Sequence, residues 1–186
     1  MMRLVIPILL LSLFLSIQTA EGQTITAPRV KQSNNDLLVS FALVLDEKHN
    51  AEVRAGIDKD LRFYVDLFKV WKSWPDEFVV GKVIEKTLKV DPIKKEYVAT
   101  SFDGSTLVER RFRSFDSMTN WALIFNNVKV ASVRDLEPGE YYVKVSAASK
   151  VRKLPPMIGQ FLLIFVSEDE FKVSADSAVF TVSGAK

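Results

Sequence analysis

The stretch DLLVSFALVL, residues 36–45, alternates without a break. Leu37, Val39, Phe41, Leu43 and Leu45 fall on one side, and Leu38, Ser40, Ala42 and Val44 on the other. A period of two is the side-chain pitch of a β-strand and does not fit the 3.6-residue repeat of an amphipathic helix. The pattern recurs along the chain. LRFYVDLFKVWK (61–72) puts Leu61, Phe63, Val65, Leu67 and Trp71 on one face, so Trp71 is expected in the core, with Trp74-Pro75 ending the strand. EFVVGKVIEKTLKV (77–90), EYVATSF (96–102), STLVERRFR (105–113), VKVASV (128–133) and EYYVKVSAAS (140–149) read the same way. EFKVSADSAVFTV (170–182) reads as one long strand or two short ones. Gly81 marks a bulge or a close approach of another group.

The punctuation between these runs agrees. ITAPRVKQS (25–33) is a strand that Pro28 places at a sheet edge or at its own start, and SNND (33–36) is a turn. DPIKK (91–95) and Asp103-Gly104 close hairpins. Residues 48–55 read as a short helix stopped by Gly56. Residues 114–125 read as a second, capped by Ser114 or Asp116, with Met118, Trp121, Ala122 and Phe125 at helical spacing and Asn126-Asn127 ending it. LEPGEYY (136–142) is a turn leading into a tyrosine strand, the arrangement in which a tyrosine braces a crossover between sheets. The expectation is a mainly β chain: one immunoglobulin-like antiparallel β-sandwich with two short helical insertions, spanning residues 23–186.

Residues 1–22 have the layout of a secretory signal peptide. Arg3 gives a short positive start, residues 4–17 are apolar but for Ser12 and Ser16, and Ala20-Glu21-Gly22 sets small residues at the −3 and −1 positions of a cut after Gly22. The apolar core is shorter than the roughly 20 residues that span a bilayer. The reading is a periplasmic protein, with an inner-membrane anchor through the uncleaved segment as the alternative. The chain has no cysteine, so an oxidising compartment gives it no disulfides and its core must hold the fold alone. Cleavage between residues 20 and 24 is expected. Mass spectrometry of the envelope fraction checks it, and a terminus at Met1 or Met2 would mean an anchor.

Few chemistries fit the residue inventory. With 25 basic and 23 acidic residues the chain lacks the basic excess that nucleic-acid binding favours, and RRFR (110–113) is explained by strand alternation. His49 is the one histidine and lies in polar DEKHN, where an exposed surface position is expected. One histidine without cysteine offers neither a nucleophile–base pair nor a transition-metal ligand set. The acids Asp58, Asp60, Glu168, Asp169 and Glu170 read as solvated loop charge rather than a calcium loop. No catalytic residue, metal or cofactor is assigned.

Two segments are candidates for binding. Trp74, outside its strand, is expected exposed and available to a partner. PPMIGQFLLIF (155–165) sits between basic KVRK and acidic SEDE. It is expected to be structural over residues 161–166, with Met157 and Ile158 exposed to a partner. A docking or membrane-surface loop is the alternative, its flanking Lys150, Arg152 and Lys153 suiting anionic headgroups.

Several motifs together resemble a family of exported proteobacterial proteins, the domain-of-unknown-function family 4390. They are the RVKQS opening, DLLVSFALVL, the short helix ending in AGI, LRFYVDL, the YVAT arm, the RSFDS helix start, LEPGEYY, and LPP followed by apolar residues. Where family members carry a tryptophan-rich last strand, this chain has Phe171 and Phe180. The resemblance implies no established activity. It implies genes neighbouring a membrane sensor kinase of the nitrogen-regulation type, and hence an accessory role. The leading reading is a non-enzymatic exported binding or accessory module of the envelope, with a protein partner at the inner membrane. A structural envelope protein without a small ligand is the second, and a hydrolase of unrecognised type the third.

Overall fold

A computed structural model describes residues 22–91, 93–150 and 169–183. The chain folds as a β-sandwich of two antiparallel sheets. The smaller is built on β3 (Asp36–Val44), which pairs on one side with β1 (Thr24–Ile25) and β2 (Arg29–Ser33) and also with β8 (Ile124–Ser132). The larger runs β10 (Asp169–Asp176), β9 (Gly139–Lys150), β4 (Lys59–Lys69), β5 (Glu77–Asp91), β6 (Glu96–Phe102), β7 (Leu107–Phe112), with β11 (Phe180–Val182) also on β9. β4 is central, paired along its length with β5 and β9.

The turns behave as their residues require. Asn34 and Asn35 both have positive φ (50° and 67°) and close the β2–β3 hairpin. Asparagine tolerates that region because its short polar side chain bonds locally. Gly104, at φ 94°, closes β6–β7. Pro28, which cannot donate to a ladder, stands immediately before β2.

Period two becomes burial. On β3, Leu37, Val39, Phe41 and Leu43 are buried, facing Leu61, Phe63, Val65 and Leu67 of the fully alternating β4. Phe41 stacks on Phe125 (centroids 4.5 Å, 14°), and Phe63 leans on the same ring at 4.7 Å. The tyrosine brace is present: buried Tyr141 donates its hydroxyl to the Glu137 carbonyl at 2.7 Å. The last segment is two strands, and Phe180 stacks beside Tyr141 at 6.2 Å.

Helix α1 (Glu47–Arg54) is capped by Asp46, which accepts from the His49 amide at 2.8 Å, and Gly56 follows at φ 90°. Helix α2 (Phe115–Leu123) is capped by Ser114 and buries Phe115, Met118, Ala122 and Leu123 over the larger sheet.

Several expectations change. Asp60 and Glu170 are not loop charge: they stand in β4 and β10, Asp60 accepting from Thr87 and Glu170 from Lys59 and Ser149. The stretch 25–33 is two strands, β1 and β2, rather than one. The second helix stops at Leu123, not residue 125, and β8 begins at Ile124. Asn126-Asn127 lies inside that strand as an irregularity, with Asn127 at φ 54° donating its amide to Ser40 Oγ at 3.0 Å. Phe125 keeps its core position because the fourth residue of a helical repeat and the inward face of a new strand coincide there. Trp71 is not core. The ladder ends when Val70 donates to the Glu140 carbonyl (2.8 Å), and the chain then bends away, leaving Trp71 44% exposed. His49 is buried, not a surface residue, because Asp46, Gln23 and Glu170 converge on its ring. Met157, Ile158 and the apolar run around them lie outside the described residues.

Candidate binding surface

The outer face of β4 carries Tyr64 and Phe68 in opposite phase to the core residues. Phe68 stands opposite Tyr142 of β9 and Phe78 of β5. The three rings touch in a row: Phe68 stacks on Tyr142 at 5.3 Å and 13°, and meets Phe78 edge-on at 5.9 Å and 73°. A register shift between Leu67 and Phe68 passes over Val79 and keeps Phe78 on this face while Val80 opposes inward Leu67. Bulges of this kind re-aim side chains. Phe78 remains 56% exposed, and Val83, opposite Tyr64, is exposed beside it.

Gly81 lies opposite Asp66, and its missing Cβ makes the space for the Asp66 carboxylate and the edge of the Phe78 ring. A close approach is therefore its role. Burial pushes the Asp66 carboxyl upward, against the pull of Lys144. The Tyr142 hydroxyl is also raised, first by burial and then by the negative charge of Asp76. Acids border the rings: Asp66, Asp76, Asp176 and, two residues before Tyr142, Glu140.

Trp74, the sequence candidate, is 77% exposed in the connection between β4 and β5, next to this surface in the chain. Trp71 joins it there, donating its indole N–H to Glu77 at 3.2 Å under the Lys69 ammonium (4.7 Å to the ring). Sequence reasoning missed Phe68, Phe78 and Tyr142. The signal was there: Tyr64 and Phe68 are aromatic on the face that alternation assigns to solvent.

A second cluster lies where α1 meets the ends of β4, β9 and β10. His49 Nδ1 is 2.5 Å from Asp46 Oδ1 and its Nε2 3.2 Å from Glu170 Oε1, while Gln23 donates to Asp46 at 2.8 Å. Buried Lys59 bonds both Glu52 (2.5 Å) and Glu170 (2.6 Å), and Ser149 donates to Glu170 at 3.1 Å. Burial would raise the Glu170 carboxyl, but Lys59, Ser149 and His49 hold it below its ordinary range. Burial would likewise lower the Lys59 amine, and the two glutamates raise it instead.

His49, Glu52 and Glu170 offer ligand atoms within 4.8 Å of one another, the spacing of a metal site. The donor set does not fit one, because the Lys59 ammonium already sits on both carboxylates. The expected result is that EDTA leaves the melting temperature unchanged, and a clear fall in a thermal melt would show that a cation shares this cluster.

A shallow recess of about 370 Å³ on the outer sheet face is lined by Asp58, Asp91 and Glu109. Lys89 lies 3.4 Å from Asp58 and Arg111 3.4 Å from Glu109, and amides of Lys94 and Ile93 hold Asp91 below its ordinary pKa. A general acid needs the opposite shift. Among the described residues no helix is long and apolar enough to cross a membrane.

Fold and surface together define a β-sandwich whose larger sheet carries, among the described residues, an aromatic row on its outer face that ends in exposed Phe78. The sequence pattern of DUF4390, a domain of unknown function, matches residues 20–177, and the chain belongs to that family. Comparison with the curated proteins and with the solved structures finds no match to either.

Proposed function

We propose that this protein is a non-enzymatic exported binding module of the cell envelope that engages a protein partner through the Phe68–Phe78–Tyr142 surface. The observation that carries the reading is the contiguous aromatic row on the outer sheet face, with Phe78 left 56% exposed at its end. Aromatic side chains bury much area at little conformational cost and dominate the centres of interfaces. The acidic border complements a partner segment in which lysine or arginine flanks apolar side chains. An inner-membrane protein such as a sensor kinase, presenting such a segment to the periplasm, fits this chemistry.

The test is site-specific photo-crosslinking in the cell envelope from position 78 and from position 74, with position 93 as control, since Ile93 is 92% exposed in the β5–β6 turn. One adduct from positions 78 and 74, absent from 93, is expected, with the position-74 adduct lost on Phe78→Asp and the contact mapped to a basic-apolar segment. Phe78→Asp should leave the melting temperature within about two degrees, because surface changes cost little. No adduct, or the same adduct from all three positions, would favour a structural protein without a specific partner.

A further inference from the structure

We propose that Lys86 and Arg110 form a binding site for a small oxyanion, a phosphate or carboxylate group, on the inner face of the larger sheet. The inference is independent of the aromatic surface, which lies on the other face.

Lys86 points inward from β5, opposite Leu61 of β4 and Ser101 of β6, and is 7% exposed. Its ammonium lies 4.3 Å from the centre of the Trp121 ring and 5.1 Å from that of Phe125. Arg110, reaching in from β7, sets its guanidinium over the same indole at 5.3 Å. Two cations thus share one ring, and among the described residues no carboxylate pairs with either. Glu109, next to Arg110 in the chain, points to the other face, 3.4 Å from Arg111, and Asp103 lies 3.7 Å from Lys82.

The contrast with the other buried lysines is what decides the reading. Lys59 has Glu52 and Glu170, and Lys69 has Glu137 at 2.5 Å. Among the described residues, the buried lysines Lys59 and Lys69 have carboxylate partners and Lys86 has none. Aromatic faces attract a cation but do not remove the repulsion between two of them. An anion between them does both.

The donors also set the ligand class. A guanidinium fork matches the paired oxygens of a carboxylate or phosphate, and an ammonium adds a point charge. Arg110 and Val108 are exposed on β7 while Lys86 is buried, so the site opens along β7 and closes at Lys86. That depth admits a small group, and the indole and Phe125 walls suit a ligand with an apolar body.

The test is a thermal melt of the full-length mature protein in sodium phosphate, sodium acetate and sodium chloride at equal ionic strength. It is paired with calorimetric titration of inorganic phosphate and of acetate. Phosphate or acetate should raise the wild-type melting temperature above its value in chloride, in a saturable way, and the stronger of the two identifies the group recognised. Lys86→Met, which keeps the side-chain length and an apolar environment, should abolish the response, and Arg110→Gln should weaken binding by about tenfold or more. A wild-type response no larger than that to chloride would overturn the site, and so would an undiminished response in a folded Lys86→Met protein.

Discussion

Alanine at Phe41 is expected to lower the stability of the fold by about 3–5 kcal/mol, the usual cost of emptying a buried phenylalanine site. The ring is 4% exposed and joins the two sheets: it stacks on Phe125 at 4.5 Å and leans on Phe63 at 6.2 Å. Removing it leaves those two rings facing a void that two hydrogen-bonded sheets cannot collapse to fill. Urea denaturation measures the change, with the midpoint falling and the slope unchanged. An unaltered midpoint would place Phe41 off the core face of β3.

Methionine at Lys86 should act in the other direction, stabilising the protein at neutral pH on the order of 1–3 kcal/mol. Burial, with Arg110 beside it, draws the Lys86 amine from its ordinary 10.5 down to about 8. Each pKa unit corresponds to about 1.4 kcal/mol. Below pH 8 the amine is charged in both states and the folded protein bears the full penalty. Between about 8 and 10.5 the folded state holds fewer protons than the unfolded chain, so stability rises with pH and the penalty is gone above 10.5. The advantage of Lys86→Met over the parent, read from denaturation curves at pH 7 and pH 10, should therefore shrink at the higher pH. A methionine variant less stable than its parent at pH 7 would mean that the Trp121 and Phe125 rings more than offset the burial.

The strands were readable because alternation is a local pattern. Leu37 to Leu43 and Leu61 to Leu67 announce a buried face within a few residues, and Asn34-Asn35 and Asp103-Gly104 carry the backbone angles of their turns. The Tyr141 brace was readable for the same reason, since its partner Glu137 is four residues away. What escaped depends on distant residues. His49 looks solvated among DEKHN, and is buried by Gln23 and Glu170, from opposite ends of the chain. Trp71 kept the phase of its strand on paper, but alternation does not report where the ladder ends, which is set by the last bond to Glu140. The aromatic surface needed the register of three strands, because Phe68, Phe78 and Tyr142 become neighbours only through pairing.

The central place of β4 bears on the order in which the molecule can be assembled. β5 follows it directly and can close a hairpin as soon as residues 59–91 are available. The other edge of β4 waits for residues 139–150. In a chain delivered across a membrane from its N-terminus, that edge would stand bare through most of the passage, with a row of unsatisfied amides and carbonyls of the kind that recruits another chain. Pairings this distant also make for slow folding. Were the chain exported as proposed, a holding chaperone at the exit of the channel would find a target in residues 59–69, and its release would coincide with the arrival of β9.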